Sequence, residues 1–185
     1  MFVAIDRTSK FAIVRLYEQA DRPTAVTFLE TVLEAVPYKI NIILTDNGIQ
    51  FADQPRNRNG WTARLRVHRF DMICNANKIE HRLTKPNHPW SHEDKKTVRG
   101  TVFPNGGQVE RMNRTIKEAT VKRYYYDDHD HLRRHLDLFV DTYNHARRLK
   151  TLKGLTPTQF IWKEWQAKPE LFYEEPCHLT SGLYN

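Results

Sequence analysis

The chain opens with two short apolar runs separated by a polar turn. Phe2 to Ile5 and Phe11 to Leu16 are rich in apolar and β-branched residues, and the residues between them, 6–10, are polar turn formers. This pattern predicts a β-hairpin. From Asp21, an N-cap residue type, apolar residues recur with helical spacing until Pro37, which predicts an amphipathic helix.

The next apolar segment, Ile40 to Thr45, is nearly continuous, as is typical of a strand buried on both faces of a helix-covered sheet. It runs directly into Asp46. The segment from Gln54 to Gly60 has the composition of a surface loop. Thr62 to Asn77 predicts a weak helix, and Ile79 to Leu83 predicts a short strand, so the strands are joined by helical crossovers.

The second half of the chain is predicted to be mainly helical after a long loop. The segment Pro86 to Gly107 shows neither the helical nor the strand spacing of apolar residues. It is interpreted as a flexible loop. A helix from Gln108 to about Tyr125 has an apolar stripe of Val109, Met112, Ile116 and Ala119. A second, from about His129 to Arg148, has Leu132, Leu136, Phe139, Val140 and Tyr143, and a short third begins at Thr156-Pro157.

The predicted architecture is therefore α/β, with a first unit over residues 1–126 and a C-terminal helical extension over residues 127–185. A long loop includes residues 91–107 of the first unit.

Composition narrows the partners of this chain. The 185 residues include 29 Lys and Arg against 22 Asp and Glu, a formal net charge of +7, which favours a polyanion such as nucleic acid or an anionic membrane surface. The apolar runs are far shorter than the roughly 20 residues of a membrane helix, and no signal-peptide pattern is present. Only two cysteines occur, which suits a reducing compartment. A cytoplasmic protein without a membrane partner is expected.

Two carboxylates are candidates for chemistry. Asp46 follows the probable central strand, where open α/β sheets present ligands and catalytic groups, although Asp-Asn-Gly is also good turn chemistry. Glu110 shares a helix face with Asn113, Arg114 and Lys117. That face is either a set of surface ion pairs or a carboxylate beside a phosphate backbone.

Four strings occur in one order and carry a resemblance. They are LTDNGIQF around Asp46, IEHRLTKPNHPW from Ile79, GQVERMNRTIKEATVKRYYY from Gly107, and YNHARRLKTLKGLTP from Tyr143. Together they resemble the integrase-type catalytic core of insertion-sequence transposases, which are related to retroviral integrases. Four motifs in order are far more specific than one short pattern.

The resemblance implies a ribonuclease-H-like fold in which two aspartates and a glutamate hold two divalent metals. Asp46 matches the second aspartate and Glu110 the glutamate. Mg²⁺ or Mn²⁺ would prefer such hard oxygen ligands and would assist in-line phosphoryl displacement on DNA. Transposon ends and target DNA are the implied substrates.

This copy departs from the family pattern in two places. In relatives the first aspartate lies on a central strand that precedes the one beginning here at Phe2, so we expect an N-terminally truncated copy without that strand. Asp6 is the nearby carboxylate at a strand end, but the motif assigns it to the hairpin rather than to the metals. Relatives also pass from Trp90 to Gln108 in a few residues, whereas 17 residues, 91–107, intervene here.

Two hypotheses follow from these features. One is a transposase or integrase core, expected to be inactive as given. The other is a catalytically dead remnant that binds DNA, associates with itself or with a full-length transposase, and inhibits the latter. The DNA-binding candidates in both are cations of the Gln108 helix and its end: Arg111, Arg114, Lys117, Lys122 and Arg123. An RNA-binding module is poorly supported, because neither an RNP-type aromatic platform nor a GxxG clamp occurs.

Overall fold

The predicted hairpin forms at the start of the chain. The structure is a computed structural model that describes residues 1–53, 68–84, 101–102 and 106–180. Strand β1 (Phe2–Ile5) pairs antiparallel with β2 (Ala12–Arg15), with Phe2 opposite Arg15. The polar turn lets the two apolar runs face each other along their whole length, as the sequence predicts.

A second sheet is built around the predicted buried strand. β3 (Ile42–Thr45) lies between β4 (Glu80–Leu83) and β5 (Thr101–Val102), and both neighbours are parallel to it. All four β3 residues are buried. This explains why the segment is continuously apolar instead of alternating.

Strand β5 corrects the prediction of an unbroken loop from Pro86 to Gly107. Thr101 and Val102 pair with Ile42 and Ile43 of β3, on the side opposite β4. A buried strand needs partners for the backbone groups on both of its edges, and β-branched residue types such as Thr and Val favour this conformation. Residues 85–100, with most of the predicted insertion, lie outside the described part of the chain.

Two helices among the described residues connect these strands. Helix α1 (Arg22–Ala35) is capped by Asp21, whose Oδ1 accepts a hydrogen bond from the Thr24 N–H at 2.9 Å, as predicted. Helix α2 (Arg69–Ala76) begins after the predicted Thr62, with His68 as its N-cap. The predicted loop at 54–60 and the predicted first turns of α2 up to residue 67 are not among the described residues.

Three further α-helices lie in the described residues after β5. α3 (Gly106–Ala119) starts two residues before the predicted Gln108 and ends well before Tyr125, so the three tyrosines follow the helix. α4 (His129–His145) ends before the predicted Arg148. α5 (Pro157–Ala167) begins at the predicted place, where Thr156 and Gln159 form a reciprocal capping box.

The hairpin separates two apolar clusters because successive side chains of a strand point to opposite faces. Phe2 and Ala4 of β1 pack with α1, α2 and β3 on one face. Val3 and Ile5 pack with α3 and α4 on the other, against Met112, Ile116 and Leu136. Helix α4 thus shares an apolar core with β1 and α3. This shared core fixes α3 against β1.

Asn144 joins α4 to the outer edge of the hairpin. Its Oδ1 accepts a hydrogen bond from the Ala12 N–H at 2.9 Å, and its Nδ2 donates one to the Ala12 carbonyl at 2.8 Å. Its side chain takes the place of a neighbouring strand at this buried position.

We expect Asn144→Ala to lower the free energy of unfolding by about 2 kcal/mol, because the substitution leaves two buried backbone groups of Ala12 without partners. Urea unfolding monitored by circular dichroism measures this loss. Asn75→Ala, at an exposed position of α2, is the control and should change the value little. A loss for Asn144→Ala no greater than that of the control would contradict the assigned role.

Candidate functional site

Asp46 lies where the sequence places it, directly after the carboxyl end of β3. Its side chain is exposed, and its Oδ1 accepts a hydrogen bond from the Gly48 N–H at 2.9 Å. This is an Asx turn, so the turn interpretation of Asp-Asn-Gly is correct. The turn does not exclude a functional role, because the carboxylate remains accessible.

Contacts from neighbouring elements hold the turn after β3. The Asn47 Nδ2 donates to the Thr84 carbonyl at 2.6 Å, and the Thr84 N–H donates to the Thr45 carbonyl at 2.9 Å. From α1, the Arg22 Nε donates to the Ile49 carbonyl at 3.2 Å. Asp46 therefore lies in a turn that is hydrogen-bonded both to the residue after β4 and to α1.

A cavity of about 180 Å³ opens beside Asp46. Residues of β1 and α1 form its apolar wall, and Thr45 and Asp46 lie at one side. Helix α3 contributes Val109 and Asn113. The fold thus brings the first turns of α3 to the carboxyl end of β3, which are the two segments that carry the predicted carboxylates.

Glu110 lies on α3 next to these cavity residues but is not itself in the wall. Its side chain is 71% exposed, and its Oε1 is 3.7 Å from Nη2 of Arg114, one turn further along the helix. An exposed pair of this kind is weak and easily exchanged for another partner. The predicted approach of the Asp46 and Glu110 carboxylates stays a prediction, supported by Val109 and Asn113 on either side of Glu110.

Asn113 offers an oxygen that lacks a partner. Among the described residues, no hydrogen-bond donor reaches its buried Oδ1. Carboxylate and amide oxygens are the ligands that Mg²⁺ and Mn²⁺ prefer. Asp46 and Asn113 on one cavity, with Glu110 beside it, therefore fit a hard divalent cation, although no group of three His, Cys, Asp or Glu residues forms within the described ranges.

Asp6 belongs to a different part of the molecule. Its carboxylate accepts hydrogen bonds from the N–H groups of Thr8 and Ser9 at 3.1 and 3.0 Å, from the Ser9 hydroxyl at 2.5 Å and from the Tyr38 hydroxyl at 3.1 Å. Burial and the nearby Asp6 carboxylate raise the pKa of Tyr38 well above its usual value, so the phenol remains a donor. Asp6 shares a cavity with Asn41, at the opposite end of β3 from Asp46. It closes the hairpin, as the motif assigns it.

A hydrogen-bonded chain of side chains lies beside Asp46 and has no signal in the sequence. His81 of β4 contacts Thr45 through Nε2 and Asp71 of α2 through Nδ1. The spacing of these three residues in sequence has no regular period, since they come from three elements. The parallel pairing of β3 with β4 brings Thr45 and His81 together.

The five candidate DNA-binding cations lie on the surface. Three are on α3 and two follow it, where the Lys122 N–H donates to the Lys117 carbonyl at 3.0 Å and the Arg123 N–H donates to that of Thr120 at 2.8 Å. The residues are Arg111, Arg114, Lys117, Lys122 and Arg123, all exposed. Of these, Arg114 pairs with Glu110.

Comparison with known proteins bears on the family and the fold. Two models described as integrase core domain match the chain, one over residues 1–89 and the other over residues 104–157. No curated protein matches. None of the described helices has the length and apolar character needed to cross a membrane.

Several solved structures share the fold. The catalytic core domain of BIV integrase is 18% identical, with a TM-score of 0.57 over 90% of this chain and 88% of that one. The HTLV-2 integrase catalytic core domain, solved in complex with magnesium in a trimeric form, is 19% identical, with a TM-score of 0.53 over 85% and 81% of the two chains. A simian T-cell lymphotropic virus intasome complexed with PP2A regulatory subunit B56 gamma is 21% identical, with a TM-score of 0.56 over 85% of this chain and 46% of that one. These likenesses confirm the ribonuclease-H-like fold, and the chain belongs to the integrase core domain family.

Proposed function

We propose that this chain is the core of an insertion-sequence transposase or integrase that binds divalent metal and DNA for phosphoryl transfer. The observation that supports this most directly is the shared cavity of Asp46 and Asn113, with Glu110 adjacent on α3. One hard-oxygen donor set at the carboxyl end of a buried parallel strand is the arrangement that such chemistry requires. Integrase neighbours solved with magnesium and in an intasome favour the same function.

Asp46 and Glu110 would hold Mg²⁺ or Mn²⁺ in this proposal, with the Asn113 amide oxygen as a further donor. The metal, when bound, polarises a phosphoryl oxygen and activates the attacking hydroxyl. The tied turn after β3 keeps Asp46 in one position, and the packing of Met112 and Ile116 keeps α3 in place. Glu110 would have to release its exposed partner Arg114 to hold a metal, and Arg114 could then contact a DNA phosphate.

We also propose that catalysis by the chain as given is defective. Asp6, the nearby carboxylate that the motif assigns to the hairpin, is fully engaged with four donors at the far end of β3 and does not supply a third ligand. With Asp46 and Glu110 as the carboxylates, metal and DNA binding are retained, but the geometry for in-line transfer is not fully held. Transposon ends and target DNA are the substrates of the intact reaction.

Divalent metal should strengthen DNA binding by about tenfold, or roughly 1.4 kcal/mol, because a cation held by Asp46 and Glu110 would offset their negative charge near the DNA phosphates. Fluorescence anisotropy with labelled duplex DNA, with and without Mn²⁺ at constant ionic strength, measures the increment. Glu110→Gln should abolish it, whereas Glu118→Gln on the same helix should keep it. An increment that survives Glu110→Gln would sink the assignment.

The same variants can be incubated with labelled DNA and a target plasmid to read strand transfer on a gel. We expect product near background from the 185-residue chain. Metal-dependent product that Glu110→Gln removes would support the phosphoryl-transfer function and show that the proposed defect is wrong.

The exposed cations of α3 also favour the alternative of a DNA-binding remnant that restrains a full-length transposase. Its discriminating result is inhibition: the chain added to an active transposase of the same element would lower the yield of joined product. In that case Glu110→Gln would inhibit as strongly as the unmodified chain, because binding alone is required.

A further inference from the structure

Thr45 is the last residue of β3 and directly precedes Asp46. Its side chain is buried, and its hydroxyl contacts the His81 Nε2 at 2.7 Å and lies 3.1 Å from the Asp46 carbonyl oxygen. A buried hydroxyl without these partners would be costly. The side chain of Thr45 therefore holds the residue before the candidate metal ligand to the neighbouring strand.

His81 is held at both ring nitrogens. Nε2 contacts Thr45, and Nδ1 contacts Oδ1 of Asp71 on α2. The imidazole is only 7% exposed, and the Phe70 ring packs against it with a centroid separation of 4.9 Å. Because a carboxylate accepts hydrogen bonds, Nδ1 of His81 donates to Asp71, and Nε2 then accepts the single hydroxyl proton of Thr45.

The three residues come from three elements that meet only through the fold. Ile43 of β3 lies opposite His81 of β4 in the parallel register, and Asp71 lies in the first turn of α2. A carboxylate on one imidazole nitrogen fixes the tautomer and direction of the other, as it does for histidines that orient metal sites. Here the second nitrogen is directed at the residue before Asp46.

We propose that Asp71, His81 and Thr45 form a positioning relay that fixes the turn carrying Asp46. None of the three touches the metal or the DNA in this proposal. The relay sets the direction in which the chain leaves β3 and thereby the position of the Asp46 carboxylate. The metal-binding consequence rests on the proposed function, whereas the effect on the turn does not.

The Gly48 amide reports on the turn directly, because it donates to the Asp46 Oδ1. We expect Thr45→Val to speed hydrogen exchange at Gly48 about five- to tenfold, corresponding to the loss of one hydrogen bond of about 1 to 1.4 kcal/mol. Thr45→Ser keeps the hydroxyl and should restore slow exchange. Thr31→Val, which removes a similar hydroxyl bonded to the Thr27 carbonyl on α1, should leave Gly48 unchanged.

Asp71→Asn tests the far end of the relay without altering a buried strand. Long-range ¹H–¹⁵N spectra should show the His81 proton on Nδ1 in the unmodified chain and a mixture of tautomers in this variant. Exchange at Gly48 should rise in parallel. A purely structural role for Asp71 would leave both the tautomer and the Gly48 exchange rate unmoved.

Mn²⁺ titration of the same variants separates the relay from the metal site. The relay predicts weaker Mn²⁺ binding for Thr45→Val and recovery for Thr45→Ser. Gly48 exchange that does not respond to Thr45→Val or Asp71→Asn would overturn the relay, even where Mn²⁺ binds normally. A response of Gly48 in a chain that binds no Mn²⁺ would support the relay and reject the metal assignment alone.

Discussion

Replacing Lys117, Lys122 and Arg123 together with glutamine should weaken DNA binding on the order of 10²-fold near 0.1 M salt. Each phosphate contact contributes about 0.9 to the slope of log affinity against log salt concentration, so loss of three contacts should reduce the slope by roughly 3. Replacing these three cations does not alter the ion pair between Glu110 and Arg114. Anisotropy titrations over a salt series measure both quantities.

The control replaces two exposed cations, Lys163 in α5 and Lys168 directly after it. Lys163→Gln with Lys168→Gln lowers the net charge but lies on and after a helix that packs at the amino end of β3 rather than beside Asp46. Its salt slope should stay close to that of the unmodified chain. Equal losses in the two variants would mean that the overall charge, not the α3 surface, attracts DNA.

The same binding should be independent of DNA sequence, because cations that contact phosphates carry no base information. Random and defined duplexes of equal length should therefore compete equally.

The hairpin and α1 could be predicted closely because their signals are local. The apolar and β-branched residues of the two runs, the polar residues at 6–10, and Asp21 and Pro37 at the helix ends each depend on neighbours in sequence. Packing of β1 between two clusters follows from the period of two. Such features need no knowledge of the rest of the fold.

Strand β5 could not be predicted, because its stability depends on a distant partner. Thr101 and Val102 form too short a run to stand out within a segment rich in glycine, proline and charge. They pair with β3, whose residues lie some sixty positions earlier, and the unfilled edge of β3 is visible only in three dimensions. Helix α3 was misplaced at its start for a related reason, since Gly106 and Gly107 indicated a loop.

The candidate site shows the same division. Asp46 could be identified by its place after an apolar strand, and Glu110 by the resemblance of its motif. The orphaned oxygen of Asn113 and the contacts of His81 arise from side chains brought together by the fold. Asp71 carries no sequence signal, because its role depends on the direction in which α2 packs against β4.

The site assignment requires that Asp46 and Glu110 bind one metal centre together. Mn²⁺ broadens nearby nuclear magnetic resonance signals, so a titration of ¹⁵N-labelled chain should broaden the amides around residue 46 and around residue 110 at the same concentrations. Mg²⁺ should compete, since it prefers the same oxygen ligands. We expect both effects to be large because amides of ligand residues lie within a few ångströms of the ion.

Asp46→Asn removes the negative charge with little change of shape and should abolish broadening at both segments. Asp137→Asn, at an exposed position of α4 paired with Arg15, is the control and should leave both intact. Joint broadening at residues 46 and 110 that disappears in Asp46→Asn is the predicted result. Broadening at only one segment, or at residue 110 after Asp46→Asn as before, would contradict a shared metal site.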